Sequence, residues 1–312
     1  MRFPLTTLLV AATVLLGDAH GEERTIVLTF DDLPGVATVS GNCSDGGWRD
    51  FNRRMVASIV DSDVPALGLV TAGNICSELR ARLLPELLNA WLDADLELGN
   101  HTFSHHDLND VSAADFVADL DRTTDLVQPL AKAAGAHFKY FRYPYLHAGD
   151  EEPTKRAVEA ALVERGLSNA PVTIDNQEWV FARVYSTAKR RGDEKTMLRV
   201  GEAYVPYMES VVAFFEDYSK QLLGYELPQI LLLHANELNA DYLGSLVAML
   251  RARGYSFVNM DTAMRDPAYR RPDNYVGPAG ISWLHRWAVA EGREFESEPR
   301  EPEWVGELMR SY

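Results

Sequence analysis

The sequence predicts a single α/β domain built as a distorted (β/α) barrel of about seven parallel strands. From Arg24 onward, short apolar runs alternate with longer amphipathic ones, which favours a parallel strand–helix arrangement over a sandwich or a helix bundle. No Ser/Gly-rich or Pro-rich linker and no internal repeat interrupts that alternation. The composition, 46% hydrophobic and 24% charged over 312 residues with 21 Gly and 15 Pro, is that of an ordinary globular chain and excludes disorder, collagen-like repeats and a disulfide miniprotein.

The chain opens with MRFPLTTLLVAATVLLGDAHG over residues 1–21, in which Arg2 precedes an apolar run and Ala19 and Gly21 are the small residues of a cleavage site. This reads as a secretory signal peptide. Its apolar run is shorter than the roughly 20 residues of a spanning helix, so no stable membrane insertion is expected and the mature protein should be secreted or periplasmic. Seven strands are predicted next, at 25–31, 65–71, 96–102, 138–144, 168–176, 228–235 and 255–261, each an apolar run closed by polar or turn-forming residues. Apolar residues at three-to-four spacing predict helices at 48–60, 79–94, 113–134, 153–165, 204–223 and 240–253. The stretch 181–200, with Lys189, Arg190, Arg191 and Lys195, has no firm period and reads as an insertion beside the fifth strand, its basic run a solvated face. Residues 22–266 thus make the barrel, and 267–312 a C-terminal extension packed over it.

Thirty Lys and Arg against 46 Asp and Glu leave a formal charge of −16, a field that repels phosphate backbones, so nucleic acid is not an expected partner. The two cysteines, Cys43 and Cys76, follow neighbouring strands; in an oxidising compartment they are expected to pair.

In parallel α/β architectures ligands gather at the carboxyl ends of the strands. Strand one ends there in Asp31 and Asp32, strand three in His101 and His105, strand four in Arg142, Pro144 and Tyr145, strand five in Asp175, and strand six in His234. Each alone has an ordinary structural reading, an Asp as a turn or cap and a His as a core or surface residue. Together they say more. Two histidines four apart can face one way on a helical turn, and an added carboxylate completes a His/His/Asp set typical of a catalytic zinc with one position left open.

With TFDD at 29–32, HTFSH at 101–105, RYPY at 142–145, DNQEW at 175–179 and LLLH at 231–234, all in the family's order, the chain resembles the polysaccharide deacetylases, carbohydrate esterase family four. The resemblance implies that Asp32, His101 and His105 hold a divalent metal, usually zinc, and that Asp31 is the catalytic base. It further implies that Arg142 orients Asp31, that the Tyr145 backbone N–H receives the oxyanion, that His234 is the acid, and that Asp175 tunes His234. The implied activity is removal of N-acetyl groups from an N-acetylglucosamine-containing polysaccharide or oligosaccharide by a secreted metal-dependent hydrolase. O-deacetylation of acetylated xylan or a similar glycan, and a non-catalytic glycan-binding relative, are the alternatives. Two departures stand out. Leu33 occupies the place of the family's usual Gly and should put a side chain beside the base and ligand, and Glu178 stands where a second Asp is common. His106 is an alternative ligand to His105, and His147 a possible substrate contact.

Overall fold

The computed structural model describes residues 24–36, 44–294 and 296–312. The signal-peptide expectation and Cys43 therefore lie outside the described residues. Seven parallel strands form one sheet: β1 (Arg24–Leu33), β2 (Ala66–Val70), β3 (Glu97–Asn100), β4 (Tyr140–Phe141), β5 (Ser168–Asn169), β6 (Gln229–His234) and β7 (Tyr255–Phe257). They run β5-β4-β3-β2-β1-β6, with β7 added beside the start of β1. A single parallel bridge, Ile174 to Leu231, joins the chain after β5 to β6 and curls the sheet toward closure. This is the predicted distorted barrel.

The helices pack outside: α1 (Asp45–Asp61), α2 (Ser77–Leu92), α3 (Ala113–Ala133), α4 (Glu152–Glu164), α5 (Glu178–Arg191), α6 (Glu194–Leu223), α7 (Glu237–Ala252), α8 (Met260–Ala263), α9 (Trp283–Ala290) and α10 (Glu303–Ser311). Two expectations change. Strands four and five shrink to two residues each; after β5 the apolar run continues buried through Val172 and Ile174, but Pro171 has no N–H to give a ladder and only the Ile174 bridge to β6 remains. The 181–200 stretch is not an irregular insertion but the body of α5 and the start of α6, with Phe181, Val184, Tyr185, Ala188 and Val200 buried. Gly192 in the left-handed conformation (φ 69°) and the capping Asp193 split it into two helices, and that break hides the period from a window spanning both. Its basic run closes α5, where cations suit the helix C-terminus, and Lys189 pairs with Asp241 at 2.9 Å.

Strand alternation decides what points inward. Ile26, Leu28 and Phe30 of β1 join the large core beneath the helices, whereas Val27 joins Leu67, Leu69, Tyr140 and Ile230 in a small interior cluster. The next residues on that interior face are Thr29 and Asp31, and the register sets Asp31 directly against His234. Hydrophobic residues thus plug the lower barrel, and polar ones occupy its mouth.

Beyond residue 266, Trp283, Leu284 and Trp287 are buried in the main core, and the Trp283 amide donates to the Val172 carbonyl at 2.7 Å.

Candidate active site

Consecutive strand residues normally face opposite ways, yet Asp31 and Asp32 both line the cleft. Asp32 is left-handed (φ 68°), and the pairing of β1 with β2 slips between Phe30 and Leu33. The irregularity brings the second carboxylate round to the first one's side. Leu33 then drops into the core rather than into the cleft, fully buried, its side chain filling the space above Gly68, where a Cβ would sit 2.3 Å from Leu33 Cδ2. The expectation that Leu33 crowds the base and ligand is corrected accordingly: Gly68 makes room for it.

His101 and His105 also meet, with ring centroids 5.0 Å apart, but not on a helical turn. The 101–105 loop has left-handed residues at Thr102 (φ 64°) and His105 (φ 56°). Side chains hold this conformation. Asp119, nearly fully buried, accepts from the amides of Phe103 and Ser104, Thr102 Oγ1 accepts from the His105 amide, and Asn100 Oδ1 accepts from the Thr102 amide. His106 is exposed and stands outside the cluster.

Asp32, His101 and His105 each offer a ligand atom within 4.8 Å of the others. His101 Nδ1 faces the Arg142 carbonyl at 2.9 Å and must donate to it, which leaves Nε2 unprotonated for a metal. Burial, and then His105, push the His101 imidazole down to about 3, so it stays neutral. Thr71 Oγ1 holds Asp32 Oδ1 at 3.1 Å. Two imidazole nitrogens and one carboxylate oxygen, oriented in this way, fit a divalent cation of the zinc type with a coordination position to spare.

Arg142, buried completely, donates from Nη1 to both Asp31 Oδ1 and Thr29 Oγ1 at 2.7 Å, and from Nε to the Ala170 carbonyl. Asp31 Oδ2 lies 3.6 Å from His101 Nε2. His234 stands on the neighbouring strand with Nδ1 2.8 Å from Glu178 Oε2. Glu178 is fully buried at the start of α5, and its other oxygen accepts from the side-chain amides of Asn236 and Asn239. Burial alone lowers the His234 imidazole, but the hydrogen bond and charge of Glu178, with Asp32 and Asp31 behind it, outweigh that and raise it to about 9.

Asp175 lines the cleft and feels the charges of His234 and Arg142, but the hydrogen bond it accepts comes from the Asn176 amide. Burial, then Glu298, push its carboxyl up to about 7. The hydrogen-bonded partner of His234 is therefore Glu178, which the sequence reading set aside as a departure. Its signal was present, as the second acid of the fourth motif. Tyr145 is left-handed (φ 57°) and exposed at the rim, its ring 4.5 Å from that of His105. His147 points instead to Asp107, at 2.8 Å. Trp179, Met309 of α10 and Gly280 complete the walls of a cleft of about 740 Å³. The sequence carried no signal for the last two.

A family profile described as polysaccharide deacetylase matches residues 18–162, which hold the first three motifs. These residues belong to the polysaccharide deacetylase family. The fold is similar to that of a family 4 carbohydrate esterase from Streptomyces lividans in complex with acetate (18% identity, TM-score 0.48, covering 77% of this chain and 95% of that one). It is similar also to a peptidoglycan deacetylase from Bacillus subtilis (18%, 0.49, 80% and 94%) and to a polysaccharide deacetylase from Bacillus cereus (17%, 0.48, 75% and 90%). No helix among the described residues is long and apolar enough to cross a membrane.

Proposed function

We propose that this protein is an exported, metal-dependent hydrolase that removes acetyl groups from the nitrogen of N-acetylglucosamine units in a glycan. The observation that carries the reading is the flanking of the Asp32, His101 and His105 cluster by an acceptor and a donor of protons. Asp31 and His234 sit side by side on β1 and β6 at the floor of one cleft. A bound zinc-type ion would supply Lewis-acid polarisation of the acetyl carbonyl and acidify water toward neutral pH.

The remaining work falls to the chain. Asp31, fixed by Arg142, accepts the proton of the attacking water as its oxygen bonds to the acetyl carbon. The backbone N–H of Tyr145 is the donor assigned to the developing oxyanion. His234, kept protonated by Glu178, delivers a proton to the sugar nitrogen as the C–N bond breaks, giving acetate and a free amine. An amine needs that proton to leave, so a histidine raised to about 9 favours amide over ester chemistry. The exposed rings of Tyr145 and Trp179 offer flat apolar faces to sugar rings.

Acetate release from N-acetylated chito-oligosaccharides, peptidoglycan and acetylxylan, assayed with zinc, tests the proposal. Turnover of an N-acetylated substrate is expected to dominate. Release from acetylxylan alone would transfer the assignment to O-deacetylation, and no release from any of them would favour a glycan-binding role.

A further inference from the structure

Tyr145 and Leu146 are consecutive non-glycine residues in the left-handed region (φ 57° and 59°), a costly arrangement that persists only where the surroundings impose it. The loop's own hydrogen bonds, from the amides of Leu146 and His147 to the carbonyls of Tyr143 and Pro144, are those of an ordinary turn. What presses on it from outside is the C-terminal segment.

Gly280 lies against the Tyr145 carbonyl so closely that a Cβ there would fall 1.8 Å from the oxygen and 3.0 Å from the His147 ring. Its φ lies outside the left-handed range, so glycine is needed there for the close approach and not for its backbone freedom. Arg286, 1% exposed, reaches the Leu146 carbonyl from Nη1 at 3.4 Å. Its Nε and Nη2 grip Asp273 at 3.0 and 2.7 Å, and its guanidinium carbon lies over the rings of Tyr275 and Trp283, 4.7 and 4.9 Å from their centroids. Lys155, fully buried at the start of α4, donates to the same Asp273 at 2.6 Å and to the Tyr275 carbonyl at 2.8 Å. Asn109 ties the Pro278 carbonyl to the loop whose Asp107 holds His147. Two buried cations on one carboxylate are costly to assemble for stability alone, and fixing geometry is a use that such clusters can serve.

We infer that the segment 273–286 is a positioning element of the active site: Gly280, backed by the Arg286–Asp273–Lys155 cluster, sets where the Tyr145 backbone stands relative to the Asp32, His101 and His105 cluster. This rests on the assignment of the Tyr145 N–H to the oxyanion.

Gly280→Ala tests it. Opening a 1.8 Å approach to the 3.0 Å below which real contacts are not found needs about 1.2 Å of movement, and Gly280 is in a partly exposed loop outside the packed core. A misplacement of that order costs roughly 100-fold in turnover. The expected result is a kcat lower by roughly 10- to 100-fold, with KM, zinc stoichiometry and Tm near those of the wild type, and a crystal structure in which the Tyr145 backbone has moved. Arg286→Lys, which keeps the charge and loses the fork on Asp273, should lower kcat in the same direction. A Gly280→Ala structure in which residues 278–280 retreat while Tyr145 stays, or a displaced Tyr145 with unchanged kcat, overturns the inference. Wild-type turnover is read separately. An inactive wild type refutes the functional reading, and the crystal structure of the variant still decides whether Gly280 positions the loop.

Discussion

Replacing Glu178 by glutamine tests how the site keeps an acid charged inside a cleft. Glu178 accepts three hydrogen bonds, one from His234 Nδ1 at Oε2 and two from Asn236 and Asn239 at Oε1. An amide cannot reproduce this set. With its oxygen toward the two asparagines, its NH₂ faces His234 and forces Nδ1 to accept; with its oxygen toward His234, three NH₂ groups converge. Either arrangement disfavours the imidazolium. The charged form is held at about 9 chiefly against the cost of burial, so without the carboxylate His234 should fall to its ordinary 6.5 or below. Each unit is ~1.4 kcal/mol of preference for the charged form, and the loss amounts to at least ~3.5 kcal/mol. The sign follows directly. Activity that needs protonated His234 declines as pH rises through its pKa, and the alkaline limb of kcat/KM should therefore move down by at least about 2.5 pH units in Glu178→Gln. The assay is kcat/KM on an N-acetylated chito-oligosaccharide across pH 5–10 for both proteins, with histidine titration by NMR alongside. An alkaline limb that does not move, in a folded variant with its metal, would refute the role given to Glu178.

Further outcomes are expected at the other groups of the site. His101→Ala and His105→Ala should each lose metal and turnover together, since three protein ligands leave no redundancy; full metal occupancy in both, by elemental analysis, would return His106 to consideration. Asp31→Asn should keep its metal while losing roughly 100-fold or more in kcat, and Asp32→Asn should lose metal instead; the reverse pattern would exchange base and ligand. Cys43 and Cys76 are expected to form a disulfide worth ~3–4 kcal/mol in the chain-entropy account, and two free thiols in exported, denatured protein would disprove it.

Much of the site could be read from the sequence because it lies at strand ends, where alternation and order along the chain translate directly into position. Asp31, Arg142 and His234 needed only a period of two and the rule that sites gather at carboxyl ends. The pairing of His101 with His105 was legible as a spacing but not as a geometry. Its loop is held by Asp119, 14 residues beyond His105, and no local pattern announces such a contact. Glu178 was obscured because it stands just before the 181–200 stretch, whose period is broken at Gly192, so that the helix it opens was not expected. Leu33 was misplaced because its accommodation depends on a glycine in the adjacent strand. Gly280 and Met309 reach the cleft, and Arg286 the loop behind its rim, through tertiary packing of residues 273–312, which leaves no periodic trace.

In the proposed mechanism acetyl hydrolysis depends on a metal held by Asp32, His101 and His105. The most direct measurement strips the purified protein with a chelator and follows acetate release and bound metal during zinc titration. Activity should vanish on stripping and return in proportion to zinc, saturating at about one ion per chain. Full activity in metal-free protein, or a stoichiometric ion that restores none, would refute metal-dependent hydrolysis at this cluster.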